Sequence, residues 1–131
     1  MSDGYLADTS VFVAVEQNRP LGDPPPGQAR ISVATLTELS FGVRRSSGLQ
    51  RAGREGTLAG AKRFIALPYD ETVAERLAEL LAAARDAGRR AGAMDAIIAA
   101  TALTHDLTVW TQDDDFEVLA ELAPALRVVK G

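Results

Sequence analysis

The sequence predicts an α/β domain built on a mainly parallel central sheet with helices on both faces. Three observations carry this. Short runs rich in β-branched residues alternate with helical patterns along the whole chain. One helical stretch has a clean apolar face and another is apolar nearly all round, the patterns of a half-buried and a buried helix. The strongest breakers, Pro24-Pro25-Pro26 above all, fall between those stretches.

Tyr5-Leu6-Ala7 reads as a strand ending at Asp8, with a helix starting near Ser10, because Thr and Ser cap helices well. Residues 18–29 hold Pro20, Gly22, the proline triplet and Gly27, and read as a loop. Arg30–Ala34 is the next strand, and Thr35 caps a helix from Leu36 to about Arg45. Gln50 to about Phe64 reads as helix, weakened by Gly53, Gly56 and Gly60. Phe64–Leu67 is a short strand that stops at Pro68. Asp70 or Thr72 opens a helix to about Ala87, with Val73, Leu77, Leu80, Leu81 and Ala84 on one face and Gly88 closing it. The apolar helix starts at Gly92-Ala93-Met94-Asp95. Leu107–Trp110 is a strand. Asp113–Leu122 reads as a helix with three aspartates in its first turn, where the helix dipole favours them. Pro124 breaks it, and Arg127–Val129 is a last strand.

At 131 residues the chain is expected to be one domain, 1–131, large enough for a real core. The absence of cysteine excludes disulfides, thiolate metal sites and cysteine nucleophiles, and His105 alone cannot make a multi-histidine zinc site. Fourteen basic against 18 acidic residues leave a net charge of −4, which speaks against a general nucleic-acid coat protein. It leaves room for a nucleic-acid enzyme that gathers acid at a metal site. Met1-Ser2-Asp3-Gly4 has no basic cluster, and no apolar run approaches the ~20 residues of a spanning helix. A soluble, cytoplasmic protein with no membrane partner is expected.

Four acids stand at ends of elements and inside apolar sequence. Asp8 ends the first strand, Glu38 lies in the first turn after the second, Asp95 opens the apolar helix, and Asp113 follows the fourth strand. In an α/β sheet these positions can share the carboxyl edge, where ligands bind. Buried carboxylates are costly unless paired or bound to a cation, and converging ones raise each other's pKa. Few basic residues stand beside them in the sequence, so a hard divalent cation, Mg²⁺ or Mn²⁺, is the natural remedy. Such a site can activate water against a phosphodiester.

Leu6-Ala7-Asp8-Thr9-Ser10 resembles the opening motif of PIN-domain ribonucleases. Thr35-x-x-Glu38-Leu39-x-x-Gly42, Asp95-x-x-Ile98-Ala99-Ala100-Thr101-Ala102 and Thr111-x-Asp113-x-Asp115-Phe116 resemble the three motifs that follow in that family. Order and spacing match over essentially the whole chain, and the size and the Gly42-Val43-Arg44-Arg45 segment are similar to VapC-type toxins of toxin–antitoxin pairs. The resemblance implies a PIN-like fold and metal-binding acids at Asp8, Glu38, Asp95 and Asp113, with Asp115 as the second choice for the fourth. Thr9 and Thr111 match supporting hydroxyls. It further implies cleavage of RNA, tRNA or rRNA, by in-line attack of activated water that leaves 5′-phosphate and 3′-hydroxyl ends. A homodimer and a VapB-type antitoxin partner are implied as well.

Each acid also has a plain structural reading. Asp8 can cap a helix, Thr35-x-x-Glu38 fits a capping box, and Asp95 and the Asp113–Asp115 triplet suit helix N-termini. Four in family order outweigh these. His105 reads as a helix-end histidine rather than a general base, and Trp110 as core. Basic residues cluster at Arg44, Arg45, Arg51, Arg54, Lys62 and Arg63 and again at Arg85, Arg89 and Arg90. Arg44, Arg45 and Arg89 are the candidates for RNA phosphates. The competing readings are a PIN-fold RNA-processing nuclease outside a toxin–antitoxin pair and a non-catalytic protein-interaction domain on the same fold. The second would be marked by loss of an acid, and all four are present.

Overall fold

The computed structural model describes residues 4–131, so the Met1–Asp3 stretch read for a targeting signal lies outside the described residues. The elements run β1 (Gly4–Ala7), α1 (Thr9–Glu16), β2 (Gln28–Ser32), α2 (Val33–Arg44), α3 (Gly48–Ala61), β3 (Ile65–Leu67), α4 (Glu71–Asp86), α5 (Ala93–His105), β4 (Thr108–Thr111), α6 (Glu117–Leu122) and β5 (Val128–Lys130). The strands form one sheet in the order β3-β2-β1-β4-β5, and every pairing is parallel.

Side chains alternate across that sheet, as the strand period requires. Leu6 and Val109 point into one core with Val73, Leu80, Ile98, Phe116 and Leu119 from α4, α5 and the α6 region. Ala7, Ile31 and Trp110 point into a second, with Val11 of α1, Leu39 of α2 and Ala61 of α3. Helices therefore cover both faces. The middle of α5 is buried nearly all round, from Ala96 through Ala102 except Ile97, as its apolar sequence implies. The Trp110 ring is 7% exposed and meets the Tyr5 ring edge-on, which makes it a core residue.

Two expectations are corrected. The second strand starts and ends two residues early, at Gln28 and Ser32, and Ser32 caps α2 by accepting from the Ala34 N–H at 3.0 Å. Thr35 is already inside α2 and is fully buried. The last helix does not begin at Asp113. Residues 112–116 form bends and turns, and α6 starts at Glu117. Gly53, Gly56 and Gly60 leave α3 unbroken. No described helix is long and apolar enough to cross a membrane.

Candidate active site

The chain passes from β1 through β2 to β3 on one side of the sheet, then returns to β4 on the other side of β1. Crevices open at such a switch, outside the carboxyl ends of the strands. Asp8 follows β1 directly, Glu38 lies in the second turn of α2 after β2, and Asp113 stands two residues beyond β4. Asp95 is in the first turn of α5.

Asp8 is only 3% exposed. Its Oδ2 accepts from the Ser10 hydroxyl at 2.7 Å, the Thr111 hydroxyl at 3.0 Å and the Ser10 N–H at 3.3 Å. The Ser10 hydroxyl in turn accepts from the Gln112 N–H at 2.9 Å, which ties the start of α1 to the end of β4. Glu38 accepts from the Thr9 hydroxyl at 2.6 Å, and Thr35 Oγ1 lies 3.1 Å from the same Thr9 oxygen. Glu38 is thus held by Thr9 across the crevice, and a capping box with Thr35 does not form. Asp113 is half-buried, its N–H donating to Thr111 Oγ1 at 3.3 Å, while its carboxylate accepts the Asp115 N–H at 3.2 Å. Asp114 points away and pairs with Lys130. The Asp95 carboxylate has no hydrogen bond among the described residues and stands against Gly92, where an added Cβ would lie 3.4 Å from its Oδ2.

These carboxyls act on each other. Burial pushes the Asp8 carboxyl up, the Ser10 and Thr111 hydroxyls oppose that, and Asp113 adds repulsion. Burial also raises Glu38, against the Thr9 hydrogen bond and with Asp8, Asp113 and Asp115 adding to the rise. Asp95 is pushed up to about 7 by burial and by the charges of Asp8, Asp115, Glu38 and Asp113. All four candidate acids, with Asp115, therefore share one electrostatic field. None is in an ion pair among the described residues.

The other candidates lie elsewhere. Arg44 and Arg45 close α2, with the Arg45 guanidinium 5.9 Å from the Phe41 ring centre. Arg89 follows α4 and is bound to Glu121 at 2.8 Å. His105 ends α5, ten residues and about 15 Å along the helix from Asp95, which removes it from the chemistry. Ser10 and Thr35 were legible only as caps, yet both hydroxyls belong to the network. Their signal was spacing: Thr35 and Glu38 are three apart on one helix and share a face.

A sequence model described as the PIN domain matches residues 5–122. The chain belongs to the PIN-domain family. It is 40% identical over 119 residues to Ribonuclease VapC4 of Mycobacterium tuberculosis, covering 89% of this chain and 92% of that protein. It is also 40% identical over 116 residues to Ribonuclease VapC5 of the same organism, covering 87% and 86%. Among solved structures, the VapBC-5 toxin–antitoxin complex of Mycobacterium tuberculosis holds a chain that superposes with a TM-score of 0.84 at 30% identity, over 99% of this chain and 100% of that one. The acid-bearing edge of this PIN domain lies wholly within the matched residues.

Proposed function

We propose that this PIN-domain chain is the ribonuclease toxin of a VapBC pair, and that it hydrolyses RNA with Mg²⁺ or Mn²⁺ held by Asp8, Glu38, Asp95 and Asp113 or Asp115. The observation that carries the reading is the convergence of these acids, unpaired with any cation, at the switch point of a parallel sheet. The donor set fits the ion: it is all oxygen, and its mutual repulsion is relieved by positive charge. Among the described residues no three such side chains form a ready-made cage. Mg²⁺ takes one or two carboxylates directly and keeps water for the rest of its shell, so the proposed site needs only one or two of these acids in direct contact with it. When bound, the ion supplies charge stabilisation at the phosphorus and lowers the pKa of a water.

The chain's own residues do the remaining work. Ser10 and Thr111 fix one Asp8 oxygen and leave the other for the ion. Thr9 orients Glu38. Asp95, its carboxylate free of hydrogen bonds, can turn toward ion or water. Arg44 and Arg45 would hold flanking phosphates, as would Arg89 once it leaves Glu121. The substrate class is tRNA or rRNA, the working form a homodimer, and the inhibiting partner a VapB-type antitoxin. Cleavage of total RNA with Mg²⁺ or Mn²⁺ tests the reading. Wild type should cut, and Asp8→Asn and Asp95→Asn should each lose at least about a hundredfold. Equal activity in all three, or none in wild type, sinks it. Arg44→Ala with Arg45→Ala should weaken RNA binding and leave Mn²⁺ binding intact.

A further inference from the structure

A pocket of about 180 Å³ opens beside the acids, and Thr9 and Glu38 form part of its wall. Val13 and Leu39 line its apolar side, while Glu16 and Arg54 bring opposite charges to it. Glu16 is the last residue of α1, and Arg54 lies in the middle of α3. Both are half-buried. Neither is in an ion pair, with the other or with any described residue. Arg54 donates from Nη1 to the Gly42 carbonyl at 2.9 Å, which anchors α3 to α2 and leaves most of its five N–H groups free. Unpaired, the two offer a carboxylate and a guanidinium to one guest, a group that gives donors to the first and acceptors to the second.

We propose that this pocket seats one base of the RNA, unstacked from the strand next to the bond that is cut, and that it selects guanine. The proposal rests on the ribonuclease reading above. The pocket is well below the roughly 300 Å³ at which drug-sized sites begin, so it takes one ring system and not a stretch of chain. Val13 and Leu39 offer the apolar contact that a base face needs. A phosphate is a poor occupant, because Glu16 sets a negative charge beside the one guanidinium. Guanine alone among the four bases offers two acceptors to the guanidinium on one edge and two adjacent donors to the carboxylate on another. Its O6 and N7 accept from a guanidinium fork, and its N1–H and exocyclic amine both donate to one carboxylate. Single-stranded bases are read along these edges in RNA.

The test is binding of short single-stranded RNAs that differ at one position, measured by fluorescence anisotropy with Ca²⁺ in place of Mg²⁺. Wild type should bind the guanine strand about tenfold more tightly than the adenine, cytosine or uracil strands. Replacing that guanine by inosine removes the exocyclic amine, and by 7-deazaguanine the N7 acceptor. Each should weaken binding to wild type. Glu16→Ala should erase the penalty for inosine, and Arg54→Met the penalty for 7-deazaguanine. A purely structural role of either side chain would leave these ratios unmoved, and the analogues need no variant at all. Equal affinity for the four bases, no binding of any strand, or ratios unchanged in both variants would overturn the proposal. So would base-independent binding whose salt dependence falls in Arg54→Met, which would mark a phosphate seat. A guanine preference that persists while no metal supports cleavage would separate failure of the nuclease reading from failure of the pocket.

Discussion

Asp95 bears the clearest electrostatic strain of any single residue. Its carboxyl is pushed from 3.8 up to about 7 in the cation-free protein. A raised carboxyl pKa means that the folded form keeps a proton the unfolded form gives up. Stability of the cation-free protein therefore falls as pH rises through that window. Asp95→Asn removes the charge and should flatten the profile. The residue is only half-buried, so solvent screening limits the gain to about 1 kcal/mol, or roughly 4 °C in Tm. Thermal unfolding in a chelator at about pH 8 should show the gain, and at about pH 5 it should shrink. A variant less stable than wild type at the higher pH would contradict the repulsion. Thr9 acts in the opposite sense on Glu38, since its hydrogen bond holds that carboxyl down against burial. Thr9→Val should weaken Mn²⁺ binding by about tenfold and move its pH midpoint upward, as removal of an orienting partner does at metal sites. Titration calorimetry across pH reads both.

At the level of elements, legibility followed the local signals that decide each boundary. The apolar run from Ala96 to Ala102 admits only a buried helix, and α4 shows its apolar stripe with Asp70 as cap, accepting from the Val73 N–H at 3.0 Å. The start of α2 was misread because two hydroxyl residues three apart, Ser32 and Thr35, both suit an N-cap. Tertiary contact decides: Thr35 is needed at Thr9, so the helix begins three residues earlier. The aspartates ahead of α6 misled for a related reason. Acids suit a helix N-terminus, but here Asp113 turns back to Thr111 and Asp114 out to Lys130, which holds the backbone in bends. The acids' shared field was partly legible, because four carboxylates in apolar settings at element ends imply one edge. The pocket of Glu16 and Arg54 was not, since no spacing rule links residues 38 apart on two helices. Ser32→Ala should destabilise by about 1–2 kcal/mol, because a fully buried cap leaves the Ala34 N–H without a partner. Urea unfolding measures this, and a change below about 0.3 kcal/mol would mean that α2 is capped some other way.

For the whole molecule, the order of strands turns a modest net charge into a local concentration of charge. Placing β1 between β2 and β4 brings the ends of three strands together, and each contributes or precedes an acid. The net −4 therefore does not spread evenly as a barrier to RNA. Part of it sits in one crevice, where the proposed cation would offset it, while Arg44 and Arg45 are exposed at the end of α2. The proposed cation would couple folding to binding through that crevice. An ion that binds only the folded form stabilises it by RT ln(1 + [L]/Kd), about 2.7 kcal/mol at a hundredfold excess over Kd. The acids must be deprotonated to bind, and Asp8, Glu38 and Asp95 all have raised pKa values. The gain from Mn²⁺ should thus be large at about pH 8 and small at about pH 5, opposite in sign to the pH trend of the cation-free protein. Calorimetric scans with Mn²⁺ and with chelator at both pH values read the difference directly. Asp8→Asn should lose most of the gain at the higher pH, because it removes the best-oriented carboxylate of the set. An equal Mn²⁺ gain at both pH values, or one unaffected by Asp8→Asn, would place the ion outside this crevice.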